Sequence, residues 1–120
     1  MEKKFQAGQF VRARYYHTGK TYIGMIDGTI EMPPTINETF YGCVCRTDAE
    51  SICFITPSKC IEPIPDSEQH TAKNNAVRYY AGEIAAIRTA ISQYMRAGKD
   101  ITYLQDKLSR CMAWMAKLAD

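Results

Sequence analysis

Between Val77 and Leu118 the apolar residues recur at helical spacing, and this leaves few options for how the second half of the chain folds. Val77, Tyr80, Ile84, Ile87, Ile91 and Tyr94 follow one another at steps of 3, 4, 3, 4 and 3. Ile101, Leu104, Leu108, Cys111, Met115 and Leu118 repeat the same steps. Alternating threes and fours place side chains on one stripe of a helix. Asp66-Ser67 after Pro65 offers the first helix a cap, Gly98 a stop, and Asp100 a cap for the second. Two matching seams joined by so short a link predict an antiparallel helical hairpin over residues 66–120, packed like a coiled coil.

Residues 1–65 carry a different signal, short apolar runs separated by turn residues. Gln9–Tyr16 reads as a strand, His17-Thr18-Gly19-Lys20 as a turn, and Thr21–Ile26 as the return strand. A long connection runs from Asp27 to Thr39 through Asp27-Gly28 and Pro33-Pro34. Tyr41–Arg46 and Ser51–Thr56 form a second hairpin, Pro57–Cys60 a single helical turn, and Ile61–Ile64 a last short strand. The fold class is therefore α+β: a small SH3/Tudor-like antiparallel β-barrel over residues 1–65, followed by the helical hairpin, the two forming one compact unit.

Side chains alternate along a strand, so a hairpin about Asp48-Ala49 sets Val44 opposite Cys53 and points Cys43 and Cys45 to the other face. Cys43, Cys45, Cys53 and Cys60 then cannot converge on one zinc ion, and no paired C-x2-C knuckle exists. The expectation is buried thiols that pack as small apolar groups, and no metal. Both strand faces are apolar, and the helices carry Tyr79, Ala86, Ala90, Tyr103 and Trp114 off their seams. This surplus needs a cover. The chain's own helices can supply it and so can a second copy, and a homo-oligomer is expected.

Apolar residues make up 46% of the chain, charged residues 23%, and the net charge is +2, which excludes a disordered or low-complexity polymer. No apolar run is long enough to span a membrane, and no apolar stretch follows the charged amino terminus as in a secretory signal. With an odd count of five cysteines, this points to a reducing cytoplasm. Charge is unevenly placed: residues 1–68 hold seven Lys/Arg against nine Asp/Glu, and residues 69–120 hold eight against four. An acidic first half disfavours nucleic acid as the partner.

No catalytic signature is found. Gly19-Lys20-Thr21 resembles the end of a phosphate-binding loop, but Arg14 stands where that pattern needs glycine and a strand follows instead of a helix. His17 and His70 have no cysteine or serine arranged as a nucleophile, and the carboxylates show no pairing for acid–base work. The chain reads as a non-enzyme without a cofactor. Its binding candidates are Arg12, Arg14 and Tyr16 along one strand, where planar guanidinium groups beside a ring suit phosphate and base. The alternative is that the arginines only solvate an outward face. Tyr103, Lys107, Arg110, Trp114 and Lys117 make a second stripe, which either binds or packs its tryptophan while the cations snorkel. Asn75, Arg78, Tyr79 and Tyr80 lie where the halves join, the place a concave pocket forms.

A compact β half followed by two long helices in a chain of this length resembles the Thoeris anti-defence sponges of phages. The likeness is one of architecture over the whole chain and transfers no individual residue. It implies an oligomeric, non-catalytic protein in the host bacterial cytosol that sequesters cyclic ADP-ribose-type or other cyclic nucleotide signals between subunits. The resemblance implies a small anionic nucleotide as ligand, and the residues read from the sequence itself as candidates to hold it are Arg12, Arg14, Tyr16, Asn75, Arg78, Tyr79, Tyr80, Arg110 and Trp114. The alternatives are an SH3-like protein-interaction module or inhibitor from a phage or mobile element, for example against a CRISPR nuclease, and a weak nucleic-acid binder.

Overall fold

The computed structural model describes residues 4–120, in which five strands precede two helices. The strands are β1 (Phe10–Arg14), β2 (Thr21–Ile30), β3 (Phe40–Arg46), β4 (Ser51–Pro57) and β5 (Ile61–Pro63), with a 3₁₀ turn at Ser58–Cys60. The helices are α1 (Asp66–Arg96) and α2 (Thr102–Leu118). Every strand pairing is antiparallel, in the order β4-β3-β2-β1-β5. The α+β class and the strands-then-helices order match the reading of the sequence.

The closed barrel does not. β4 and β5 stand at opposite edges and do not pair, so the sheet is open. β5 is three residues long and ends in Pro63, which has no N–H to extend a ladder. A side-chain bond draws the curled sheet together instead: the Thr56 hydroxyl donates to the Arg14 carbonyl across 2.7 Å. A second difference lies in β2, which continues to Ile30 rather than stopping before Asp27-Gly28. The ladder shifts register between Ile26 and Gly28, and this bulge lets Thr29 and Ile30 pair with Tyr41 and Phe40.

Strand alternation explains the core. Val11, Ala13, Tyr22, Ile26, Cys43, Cys45, Phe54 and Ile61 are buried together on one face, with Phe5 and Tyr41. Val44 is opposite Cys53, as the hairpin reading requires, and both belong to the other face. There Val44 and Met25 are fully buried, whereas Cys53 is exposed on the edge strand. Burial of all the thiols thus fails at Cys53, because an edge strand has no neighbour to cover its outer side.

Two compact units make up the chain, Met1–Ala76 and Val77–Asp120, and the boundary falls inside α1. The first turns of α1 group with the sheet. Glu68 grips Arg12 of β1, and the Asn75 amide donates to the Ile23 carbonyl of β2 at 2.8 Å. Ala72 and Ala76 are fully buried here.

In the second unit the remainder of α1 and α2 form the helical hairpin, with Ile87, Cys111 and Leu118 buried. Gly98, at φ +69°, ends α1: its N–H reaches Met95 O at 3.1 Å and the Lys99 N–H reaches Tyr94 O at 2.9 Å. That paired arrangement satisfies carbonyls of the last turn and requires a left-handed residue, the conformation glycine adopts without penalty. The N-cap of α2 is Ile101 rather than Asp100, which stands one residue earlier and accepts from the Thr102 N–H at 3.1 Å and the Thr102 hydroxyl at 2.8 Å. No described helix is long and apolar enough to cross a membrane.

Candidate functional site

A polar cleft of about 210 Å³ opens on the β unit, lined by Arg12, Arg14, Thr21, Lys59, Cys60, Ile61 and Glu62. Strand register creates it. Arg14 pairs with Thr21 across β1 and β2, and Arg12 pairs with Glu62 across β1 and β5, so these four side chains share a face. The 3₁₀ turn then delivers Lys59 and Cys60 beside them.

The three cations of the cleft differ in what they already hold. Arg12 Nη2 contacts both oxygens of Glu68 at 2.8 Å, and its Nη1 lies 3.8 Å from Glu62. With one guanidinium nitrogen shared by both oxygens of Glu68 and a second carboxylate near the other, Arg12 has little charge left for a guest. Lys59 lies 3.3 Å from Glu38, in a pair exposed enough for water to weaken. Arg14 has no carboxylate partner among the described residues. Its Nη2 donates to Cys60 Sγ at 3.3 Å.

Tyr16 lies outside the cleft lining. β1 stops at Arg14, so Tyr16 is in the turn rather than third in line on the arginine face. It is half exposed, lies tilted by 33° against His17 with ring centroids 4.2 Å apart, and meets Phe40 edge-on at 6.3 Å. Asn75 is buried and its amide is engaged by Ile23, which gives it structural work.

The remaining expected residues belong to the second unit. Tyr80 is buried and lies parallel to Trp114, centroids 6.3 Å apart and planes 14° apart. Tyr79 meets Tyr80 edge-on at 5.2 Å, and Lys117 Nζ lies 4.9 Å from the Trp114 ring centre. Arg78 is partly buried, while Arg110 is exposed and has no carboxylate partner among the described residues. Lys107 is 3.6 Å from Glu83, so one cation of the α2 stripe is already paired. Tyr103 is 69% exposed.

Thr21, Lys59, Cys60, Ile61 and Glu62 were not among the binding candidates read from the sequence. Thr21 arrives through the β1–β2 hairpin, whereas the pairing of β5 with β1 brings the others to the arginines, and a three-residue strand carries no signal for its neighbour. Among the described residues no three His, Cys, Asp or Glu side chains gather to hold a metal ion. Electrostatics elsewhere in the unit are structural. The Lys20 ammonium and the Tyr22 hydroxyl both bond Glu50 and hold its carboxyl below the usual range. Burial, assisted by Asp27, pushes the Cys43 thiol up to about 12. No protein-family model, curated protein or solved structure matches the chain.

Proposed function

We propose that this protein is a non-catalytic binder of a small phosphate-bearing ligand, the cyclic-nucleotide class fitting best, with the phosphate seated in the cleft on β1, β2 and β5. The observation that carries this reading is Arg14, a guanidinium that lines a concave site and forms no ion pair among the described residues, the one carboxylate of the lining, Glu62, lying 3.8 Å from Arg12. Lys59 adds a second cation and Thr21 a hydroxyl donor.

Size refines it. About 210 Å³ is below the range of roughly 300–1,000 Å³ usual for drug-sized ligands, so the cleft suits a phosphate and its sugar rather than a whole dinucleotide. The base then lies outside, where a second copy of the chain closes over it. A homo-oligomer that shares its ligand between subunits is the form of sponge this implies.

Isothermal titration with inorganic phosphate and a panel of cyclic nucleotides tests the reading. Binding that disappears in Arg14→Gln supports it. Glu68→Gln, which releases Arg12, should tighten phosphate binding about two- to tenfold, a gain of roughly 0.5–1.4 kcal/mol. No heat with any of these ligands overturns the proposal.

A second reading, an SH3-like protein-interaction module, is favoured by the strand order β4-β3-β2-β1-β5, the 3₁₀ turn before the last strand, and the exposed Ile55 on edge strand β4. Stoichiometric recovery of one bacterial protein that Ile55→Lys abolishes would select it over the first.

A further inference from the structure

We infer that Glu38 and Glu68 set the charge selectivity of the cleft, so that it takes a singly charged phosphodiester and disfavours a doubly charged phosphate monoester. The inference rests on the proposed function and adds to it the residues that choose between two kinds of phosphate.

The cleft is lined by three cations, Arg12, Arg14 and Lys59, and by one carboxylate, Glu62. Two further carboxylates reach those cations from outside the lining. Glu68, in the first turn of α1, holds Arg12 Nη2 through both oxygens at 2.8 Å. Glu38, in the connection between β2 and β3, lies 3.3 Å from Lys59 Nζ. Its loop is fixed to the neighbouring 3₁₀ turn, where the Ser58 N–H donates to the Thr39 carbonyl across 3.1 Å. Three positive and three negative side chains therefore meet here, and only Arg14 is without an ion pair among the described residues.

A guest seated on Arg14 meets one uncommitted positive charge. A phosphodiester carries one negative charge, and that guanidinium alone matches it. A phosphate monoester carries close to two charges above its second pKa of about 6. The second charge finds no free cation. It faces Glu38, Glu62 and Glu68, and must either displace a carboxylate from its partner or accept the repulsion of all three.

Isothermal titration of the full chain at about pH 8 tests this with adenosine 5′-monophosphate, its O-methyl phosphodiester and adenosine 3′,5′-cyclic phosphate, which share base and sugar. Both diesters should bind about three- to tenfold more tightly than the monophosphate, and salt near 0.5 M should compress the difference. Glu38→Gln and Glu68→Gln should each tighten the monophosphate about two- to fivefold and the diesters by less. Glu31→Gln removes an exposed carboxylate of the same loop that lies outside the cleft lining, and should leave the ratio unchanged. Should Glu68→Gln lower the melting temperature by loosening α1, Glu38→Gln carries the comparison. Equal affinity for monoester and diesters overturns the inference, as does a ratio that neither glutamine moves or that Glu31→Gln moves as far. Each of those results leaves the proposed function standing, whereas no heat with any of the three ligands defeats both.

Discussion

Thr56 and Arg14 are 42 residues apart in sequence, and the hydroxyl of one donates to the backbone carbonyl of the other across 2.7 Å. Thr56 is fully buried, so this bond stands in for the ladder that the open sheet lacks between β4 and β1. It also anchors the backbone of the residue that projects its guanidinium into the cleft.

Replacing Thr56 with valine keeps the shape and leaves the partly buried Arg14 carbonyl without this donor. The expected loss is about 1–3 kcal/mol, seen as a lower urea midpoint with an unchanged slope. Thr56→Ser should recover most of it. A valine variant as stable as the parent would show that the bond carries no weight.

Gly24 and Gly28 sit on the same strand and make opposite predictions. A Cβ at Gly24 would strike the Val44 carbonyl and crowd Cys45, whereas a Cβ at Gly28 meets nothing within 4 Å. Gly24→Ala should cost roughly 1–3 kcal/mol or more through overpacking against backbone. Gly28→Ala, at the bulge, should change the thermal midpoint little. Paired melting curves decide it, and equal effects would contradict the close approach of β2 to β3.

The Lys20–Glu50–Tyr22 cluster predicts a pH response with a defined sign. Lys20 first, then Tyr22, lowers the Glu50 carboxyl below its ordinary 4.5. Its support is therefore complete above that value and disappears as pH falls through the depressed folded one. Glu50 in turn raises the Lys20 ammonium above 10.5, so that share holds below 10.5 and is lost only as pH climbs through the raised value. The difference in melting temperature between the parent and Lys20→Met should be level between these limits and close in acid. A gap that persists well below the carboxylate range would refute the assignment.

Asn75 tests the attachment of α1 to the sheet. Its amide bond to Ile23 O is 2.8 Å long and 7% of the residue is exposed. Asn75→Ala should cost about 1–2 kcal/mol and raise amide exchange in the first turns of α1, while exchange near Ile87 and Cys111 in the other unit changes less. Uniform loss of protection along the whole chain would argue against this local role.

Adjacency in the chain decided what could be read without coordinates. The seams from Val77 to Leu118, the stop at Gly98 and the register that sets Val44 opposite Cys53 all follow from periods and turns within a few residues of one another. The candidate site obeys no such rule. Arg12 meets Glu68 at a separation of 56 residues and Arg14 meets Cys60 at 46, through a short β5 that the sequence offered as a strand but could not assign to β1. Which arginine keeps its charge available, and whether the sheet closes, depends on those distant encounters. They are settled by packing and by the free edges of β4 and β5, neither of which leaves a periodic trace in the order of residues.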